Sequence, residues 1–142
     1  MIIKSIALQN FRQYKNENII EFSTNPDQNV TIVLGVNTSG KTTIVQAFNW
    51  CLYETTTFKS RDMLLNSEVA ASLPENGYAI VRVQIVLEHE KKEYTIVRSQ
   101  RFTKVAQSNK VRGDRASLSV SFKEPNGNSF PIMAYECQKY NQ

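Results

Sequence analysis

The chain has 142 residues, 41% of them hydrophobic and 21% charged, and a formal net charge of +4. That length suits one domain around one core, its apolar runs are far shorter than a bilayer span, and no secretory leader is legible at its start. Cys51 and Cys137 stand too far apart for a zinc ribbon or a C-x-x-C pair, so disulfide and metal frameworks are not expected and the cytoplasm, with no membrane partner, is.

Residues 2–11 read as a first strand, with Ile2, Lys4, Ile6 and Leu8 on one side and Ile3, Ser5, Ala7 and Gln9 on the other. Residues 12–17 read as a link and 18–22 as a second strand. Pro26 and Asp27 mark a turn, and residues 30–34, Val-Thr-Ile-Val-Leu, a short buried strand. A glycine-containing loop follows, and then a helix over 43–53. Its apolar stripe is Ile44, Ala47, Phe48, Cys51 and Leu52, with Trp50 and Tyr53 at the edge. Thr55, Thr56 and Thr57, being β-branched, favour its end.

Residues 58–77 carry no clear period. A helical turn is expected over 61–66, and Pro74-Glu75-Asn76-Gly77 reads as a turn. Residues 78–88 and 93–103 read as two long strands joined by His89, Glu90, Lys91 and Lys92. Val81, Val83, Ile85 and Leu87 alternate there with Arg82, Gln84 and Val86, as in an antiparallel sheet with one wet face. Residues 116–123 alternate more cleanly, Leu118, Val120 and Phe122 against Ser117, Ser119 and Ser121. A turn at 125–128 and a short strand at 129–132 follow, and residues 133–142 could begin a helix. The expected class is α/β, a phosphate-loop core over 1–66 joined to an antiparallel β subdomain over 78–132.

The loop carries the chemistry. Gly35-Val36-Asn37-Thr38-Ser39-Gly40-Lys41-Thr42 matches the phosphate-loop pattern G-x-x-x-x-G-K-S/T, in the required strand-loop-helix order. Gly35 and Gly40 permit sharp bends with no side chain in the way. The helix start offers free N–H groups and a positive dipole end. Lys41 would reach the β- and γ-phosphates, Thr42 would sit on Mg²⁺, and Thr38 and Ser39 suit a wet, anion-facing loop. The parts needed to hold Mg²⁺ and orient water are not evident. The one candidate acid is Glu88, at the end of Ile85-Val86-Leu87, and no guanine-reading Asn-Lys-x-Asp motif is present. His89 reads as a solvated turn residue.

Between 98 and 123 the charge is lopsided: Arg98, Arg101, Lys104, Lys110, Arg112, Arg115 and Lys123 face one acid, Asp114. Nucleic-acid contact and a solvated polar hairpin both account for that bias.

Three stretches together resemble a known family: Ile6-Ala7-Leu8-Gln9-Asn10-Phe11-Arg12-Gln13-Tyr14, the loop extended by Thr43, and Ala47-Phe48-Asn49-Trp50-Cys51-Leu52-Tyr53. They are similar to the N-terminal, ABC-type ATPase lobe of the SMC superfamily, with its double-strand-break repair ATPases, RecF and RecN. The DndD-like branch of DNA sulfur modification and related antiphage ATPases look nearest. The resemblance covers residues 2–53 strongly, 78–102 loosely, and little beyond. It implies an ATPase using ATP and Mg²⁺, with a head split by a coiled coil. Residues 1–142 would be the N-terminal half, with 133–142 leading to the coiled coil. The C-terminal lobe would bring the signature motif, the Mg²⁺-holding Asp and the catalytic Glu, and two heads would dimerise on ATP. DNA would be a partner of the whole assembly, with a nuclease or other effector subunit left open.

By the same resemblance, Arg12 lies near the phosphates and Asn37 faces the γ-phosphate, beside Gly35, Thr38, Ser39, Gly40, Lys41, Thr42 and Thr43. Arg61 matches an arginine that senses DNA or a partner head, and Lys104, Lys110, Arg112 and Arg115 are further contact candidates. Gln138 or Gln142 falls in the region of a glutamine that touches Mg²⁺ and water. Two positions depart from the pattern: Thr38 stands where Gly is usual, and Glu54 where Gly follows Leu-Tyr. Two other readings stay open, a complete small kinase-like enzyme using Glu88 and a nucleotide-independent nucleic-acid module.

Overall fold

The sheet is built outward from its first strand. In this computed structural model, which describes residues 1–35, 40–55 and 64–132, β1 (Ile2–Phe11) pairs antiparallel on one side with β2 (Tyr14–Glu21) and on the other with β3 (Tyr78–His89). β3 turns back into β4 (Lys92–Lys104), which pairs with both β5 (Val111–Gly113) and β6 (Ser117–Lys123), and β7 (Ser129–Pro131) closes the far edge. The order is β2-β1-β3-β4-β6-β7, with β5 beside β4. Alternation makes one face apolar: Ile6, Ile85, Ile96 and Val120 stand opposite one another across four strands.

Helix α1 (Lys41–Tyr53) lies on that face, where Ile6, Leu8, Phe11, Val81, Val83 and Ile85 are buried against Ile44, Ala47, Trp50 and Cys51. Trp50 is 2% exposed, with its ring centroid 5.8 Å from that of Phe11. Its expected place at the stripe's edge is therefore corrected. The inward stripe is Thr43, Ile44, Ala47, Trp50 and Cys51, and a threonine at its head hides part of the period from a purely apolar count.

Further expectations change. β2 begins at Tyr14, so the link is only Arg12 and Gln13 rather than 12–17. Lys15, Asn16 and Glu17 are exposed on an edge strand, where outward charges erase the alternation. Residues 30–34 form no strand and are not buried: Val30, Ile32 and Leu34 are 76%, 76% and 87% exposed. A strand needs a neighbour to satisfy its backbone, and this segment pairs with none among the described residues. Two elements were not expected, α2 (Ser67–Ser72) and the three-residue β5.

Ahead of α2, Leu64 and Leu65 are buried at 1% and 4% exposure, and Leu65 bridges to Phe11. The β3–β4 turn is shorter than expected, only Glu90 and Lys91, with φ of 50° and 65°. Two positive φ values give the turn twist that matches antiparallel strands. Residues 61–63 of the expected helical turn and the terminal helix at 133–142 lie outside the described residues. No helix of the described residues is long and apolar enough to cross a membrane.

Candidate nucleotide site

The first turn of α1 is open to an anion. Its N-cap, Gly40, is buried and left-handed (φ 95°, ψ 16°), supplies no side-chain cap bond, and is followed by no acidic residue in the first turn. Glycine takes this conformation without a Cβ penalty. The first intrahelical bond runs from the Ile44 N–H to the Gly40 carbonyl at 3.3 Å. The N–H groups of Lys41, Thr42 and Thr43 therefore precede the helical ladder and point out of the positive end of the helix. Thr42 is exposed and Lys41 half-buried. Such a donor set fits a polyphosphate.

The β1–β2 turn braces this helix start. The Tyr14 hydroxyl donates to the Gly40 carbonyl at 3.1 Å, and the Thr43 hydroxyl donates to Gln13 Oε1 at 2.7 Å. Burial pushes the Tyr14 hydroxyl's pKa up, which keeps it a donor. Thr43 is 3% exposed, so its side chain faces the turn rather than solvent.

The turn is held in its own right. Arg12 has φ 52°, its N–H donates to Leu64 O at 2.8 Å, and its carbonyl accepts from Asn66 Nδ2 at 2.7 Å. Asn66 also caps α2, its Oδ1 accepting from the N–H groups of Glu68 and Val69. Tyr14, Gln13 and Asn66 were missed in the sequence. Only Asn66 left a signal there, as an N-cap residue just before Ser67 and Glu68.

Arg12, Gln13, Asn66, Lys104 and Lys110 line a cleft of about 920 Å³ between the turn, α2 and the β4–β5 hairpin. Lys104 Nζ also donates to Leu73 O at 3.1 Å. Arg112 and Arg115 are exposed but do not line this cleft. The basic run is thus not a single surface. Arg98 is buried, and Arg101 is paired with Asp114 at 3.0 Å.

Glu88 stands at the wrong end for the metal role considered for it. It pairs with Ile2, whereas the turn that braces the start of α1 follows Phe11, so nine residue steps, about 30 Å, separate them along β1. It lies 3.6 Å from Lys4, whose pKa is raised chiefly by its hydrogen bond to Glu93. His89 is half exposed in the turn region, 3.8 Å from Glu90. The described residues contain no cluster of three or more His, Cys, Asp or Glu fit for a metal. Asn37, Thr38, Ser39, Arg61, Gln138 and Gln142 lie outside the described residues.

The AAA domain family model matches residues 5–129. Over 53 residues, 37% of this chain, the sequence is 42% identical to the DNA double-strand break repair Rad50 ATPase of Methanococcus maripaludis; the match spans 5% of that relative's length. The fold is similar, at a TM-score of 0.59 and 18% identity, to a solved structure from a study of ATP-driven dimerization and DNA-stimulated activation of SMC ATPases. That similarity covers 99% of this chain and 77% of the other, and extends to the mixed α/β head with its antiparallel sheet. With the phosphate-loop pattern running into α1, the family match over residues 5–129 shows that the chain belongs to the AAA domain family.

Proposed function

We propose that this chain binds Mg-ATP at the start of α1 and serves as the nucleotide-binding half of a DNA-acting, SMC-like ATPase head. One observation carries the reading. A phosphate-loop sequence runs into a helix whose cap is a left-handed glycine and whose first N–H groups have no side-chain cap. Gly35, Asn37, Thr38, Ser39, Gly40 and the backbone of Lys41 to Thr43 would surround the phosphates, with the Lys41 ammonium on the outer ones and Arg12 beside them. Thr42 would hold Mg²⁺, which neutralises phosphate charge when bound.

The remaining half of the head, by this reading, comes from a C-terminal lobe beyond residues 133–142. The exposed apolar segment 30–34 supports it, as strand-like sequence that pairs with no strand among the described residues. A second head would complete the site on ATP, in keeping with the ATP-driven dimerization of the SMC ATPases whose fold this chain resembles. Contact with DNA, through Lys104 and Lys110 at the cleft and Arg61, Arg112 and Arg115 around it, belongs to the same proposal. Repair is the process the Rad50 relative points to; modification and phage defence use the same kind of head. A kinase built on Glu88 is not supported, because that carboxylate sits at the far end of β1.

The test is calorimetric titration of Mg-ATP into the parent and Lys41→Ala chains. The parent binds ATP with negligible turnover alone and gains hydrolysis when the C-terminal lobe is added. The variant keeps its circular dichroism spectrum and loses binding. Equal affinity in the two would rule the site out.

A further inference from the structure

We propose that Tyr14 is a positioning residue for the nucleotide site, aiming the Lys41 N–H through its bond to the Gly40 carbonyl. This deepens the nucleotide reading and rests on it. Gly40 C=O and Lys41 N–H belong to one peptide unit, which is planar and trans, so the two bonds point in opposite directions. Whatever fixes the carbonyl therefore fixes the amide. Two donors fix it, the Ile44 N–H at 3.3 Å and the Tyr14 hydroxyl at 3.1 Å.

The tyrosine is itself immobilised. It opens β2 opposite Phe11, one step from the turn that Asn66 and Leu64 hold. Its ring lies flush against the glycine: a Cβ at Gly40 would come within 3.1 Å of Tyr14 Cε2 and Oη. The neighbouring bond from Thr43 to Gln13 clamps the same helical turn at a second point. A sheet end thus presets a donor that an α-helix alone would leave free to rock at its frayed first turn. Preorganisation of this kind lowers the ordering cost of binding.

Tyr14→Phe removes the hydroxyl and keeps the ring, and Tyr53→Phe, on an exposed tyrosine at the other end of α1, is the control. Measured on the full chain, Tyr14→Phe should weaken Mg-ATP binding about 3- to 10-fold. The nucleotide-free melting temperature should stay within about 2 °C of the parent, and the Lys41 amide resonance should shift in the ¹⁵N–¹H spectrum. Tyr53→Phe should change none of these. Unchanged affinity in Tyr14→Phe, alongside lost binding in Lys41→Ala, overturns the positioning role and leaves the nucleotide site standing. An affinity loss that merely tracks a lowered melting temperature also overturns it, as a packing effect. Intact binding in Lys41→Ala removes the nucleotide reading and this inference with it.

Discussion

Arg98 Nε lies 3.0 Å from the carbonyl oxygen of Cys51, joining the middle of β4 to the last turn of α1. The arginine is 5% exposed, and its Nη1 reaches Glu54 at 3.4 Å. Helix ends leave carbonyls without intrahelical partners, and α1 has no basic residue in its own last turn. The cation at its negative end comes instead from the sheet. α1 is therefore held at both ends, by Tyr14 and Gln13 at its start and by Arg98 at the other.

Removing that tie should be costly. Arg98→Leu leaves the Cys51 carbonyl and the Glu54 carboxylate without their donor, and should lower stability by about 2–3 kcal/mol in urea denaturation. Arg98→Lys should recover part of it, because an ammonium keeps the charge without the planar fork. A loss below about 0.5 kcal/mol would show that water replaces the guanidinium freely.

Glu54 occupies a left-handed position, φ 57°, where glycine is the residue without strain. Glu54→Ala keeps the strain and loses the Arg98 pair. Glu54→Gly loses the pair but relieves the backbone. The glycine variant should therefore be about 1 kcal/mol more stable than the alanine variant by chemical denaturation, and the reverse order would refute the strain.

Asn66 joins α2 to the Arg12 turn with both ends of one amide. Asn66→Ala should cost about 2 kcal/mol, as a lost cap plus the lost hydrogen bond to the Arg12 carbonyl. Asn66→Asp keeps the cap acceptor and loses only the donor to Arg12, so it should fall between the parent and the alanine variant. An aspartate variant as unstable as alanine would mean that the cap contributes nothing.

The Cys51 thiol is buried, and that burial pushes its pKa up from 9.0 to about 12. In a Cys137→Ser background it should resist thiol reagents in the folded chain and react once urea unfolds it. The raised value also sets a sign. Below pH 9 both states carry the proton and the thiol adds no pH dependence. From pH 9 to 12 the unfolded thiol ionises first, so stability falls as pH rises. Rapid labelling of the folded chain at neutral pH would contradict the burial.

On the DNA reading, Lys104→Ala with Lys110→Ala should weaken duplex binding at all sequences and flatten its salt dependence. The slope of log K against log salt should drop by about 0.9 for each phosphate the protein ceases to neutralise. Arg98→Leu should leave the slope unchanged, because that charge is inside the protein. A slope untouched by the lysine pair would place DNA elsewhere.

Much of the fold was legible because it is written locally. β1, β3, β4 and β6 show their period in consecutive residues, and α1 follows a helix stripe. β5 is too short to carry a period, and α2 shows only its cap. Residues 30–34 have strand composition but no strand, since composition cannot supply a neighbour. At the site, the glycine-lysine pattern announced Gly40, Lys41 and Thr42, while nothing near them in sequence pointed to Tyr14, Gln13 or Asn66.

What the sequence determined by itself is the phosphate-loop pattern of residues 35–42 and the alternation that makes a sheet, since both depend on neighbours along the chain. The tertiary structure alone decided what each charge does. Arg98 reads as one cation of a wet basic run. Register places it in line with Leu8, Val83 and Leu118 on the apolar face, under the end of α1. Strand register and helix docking are long-range choices, made by the burial of the whole sheet face at once, and they set which hydroxyl meets the Gly40 carbonyl and which lysines share a cleft with Arg12.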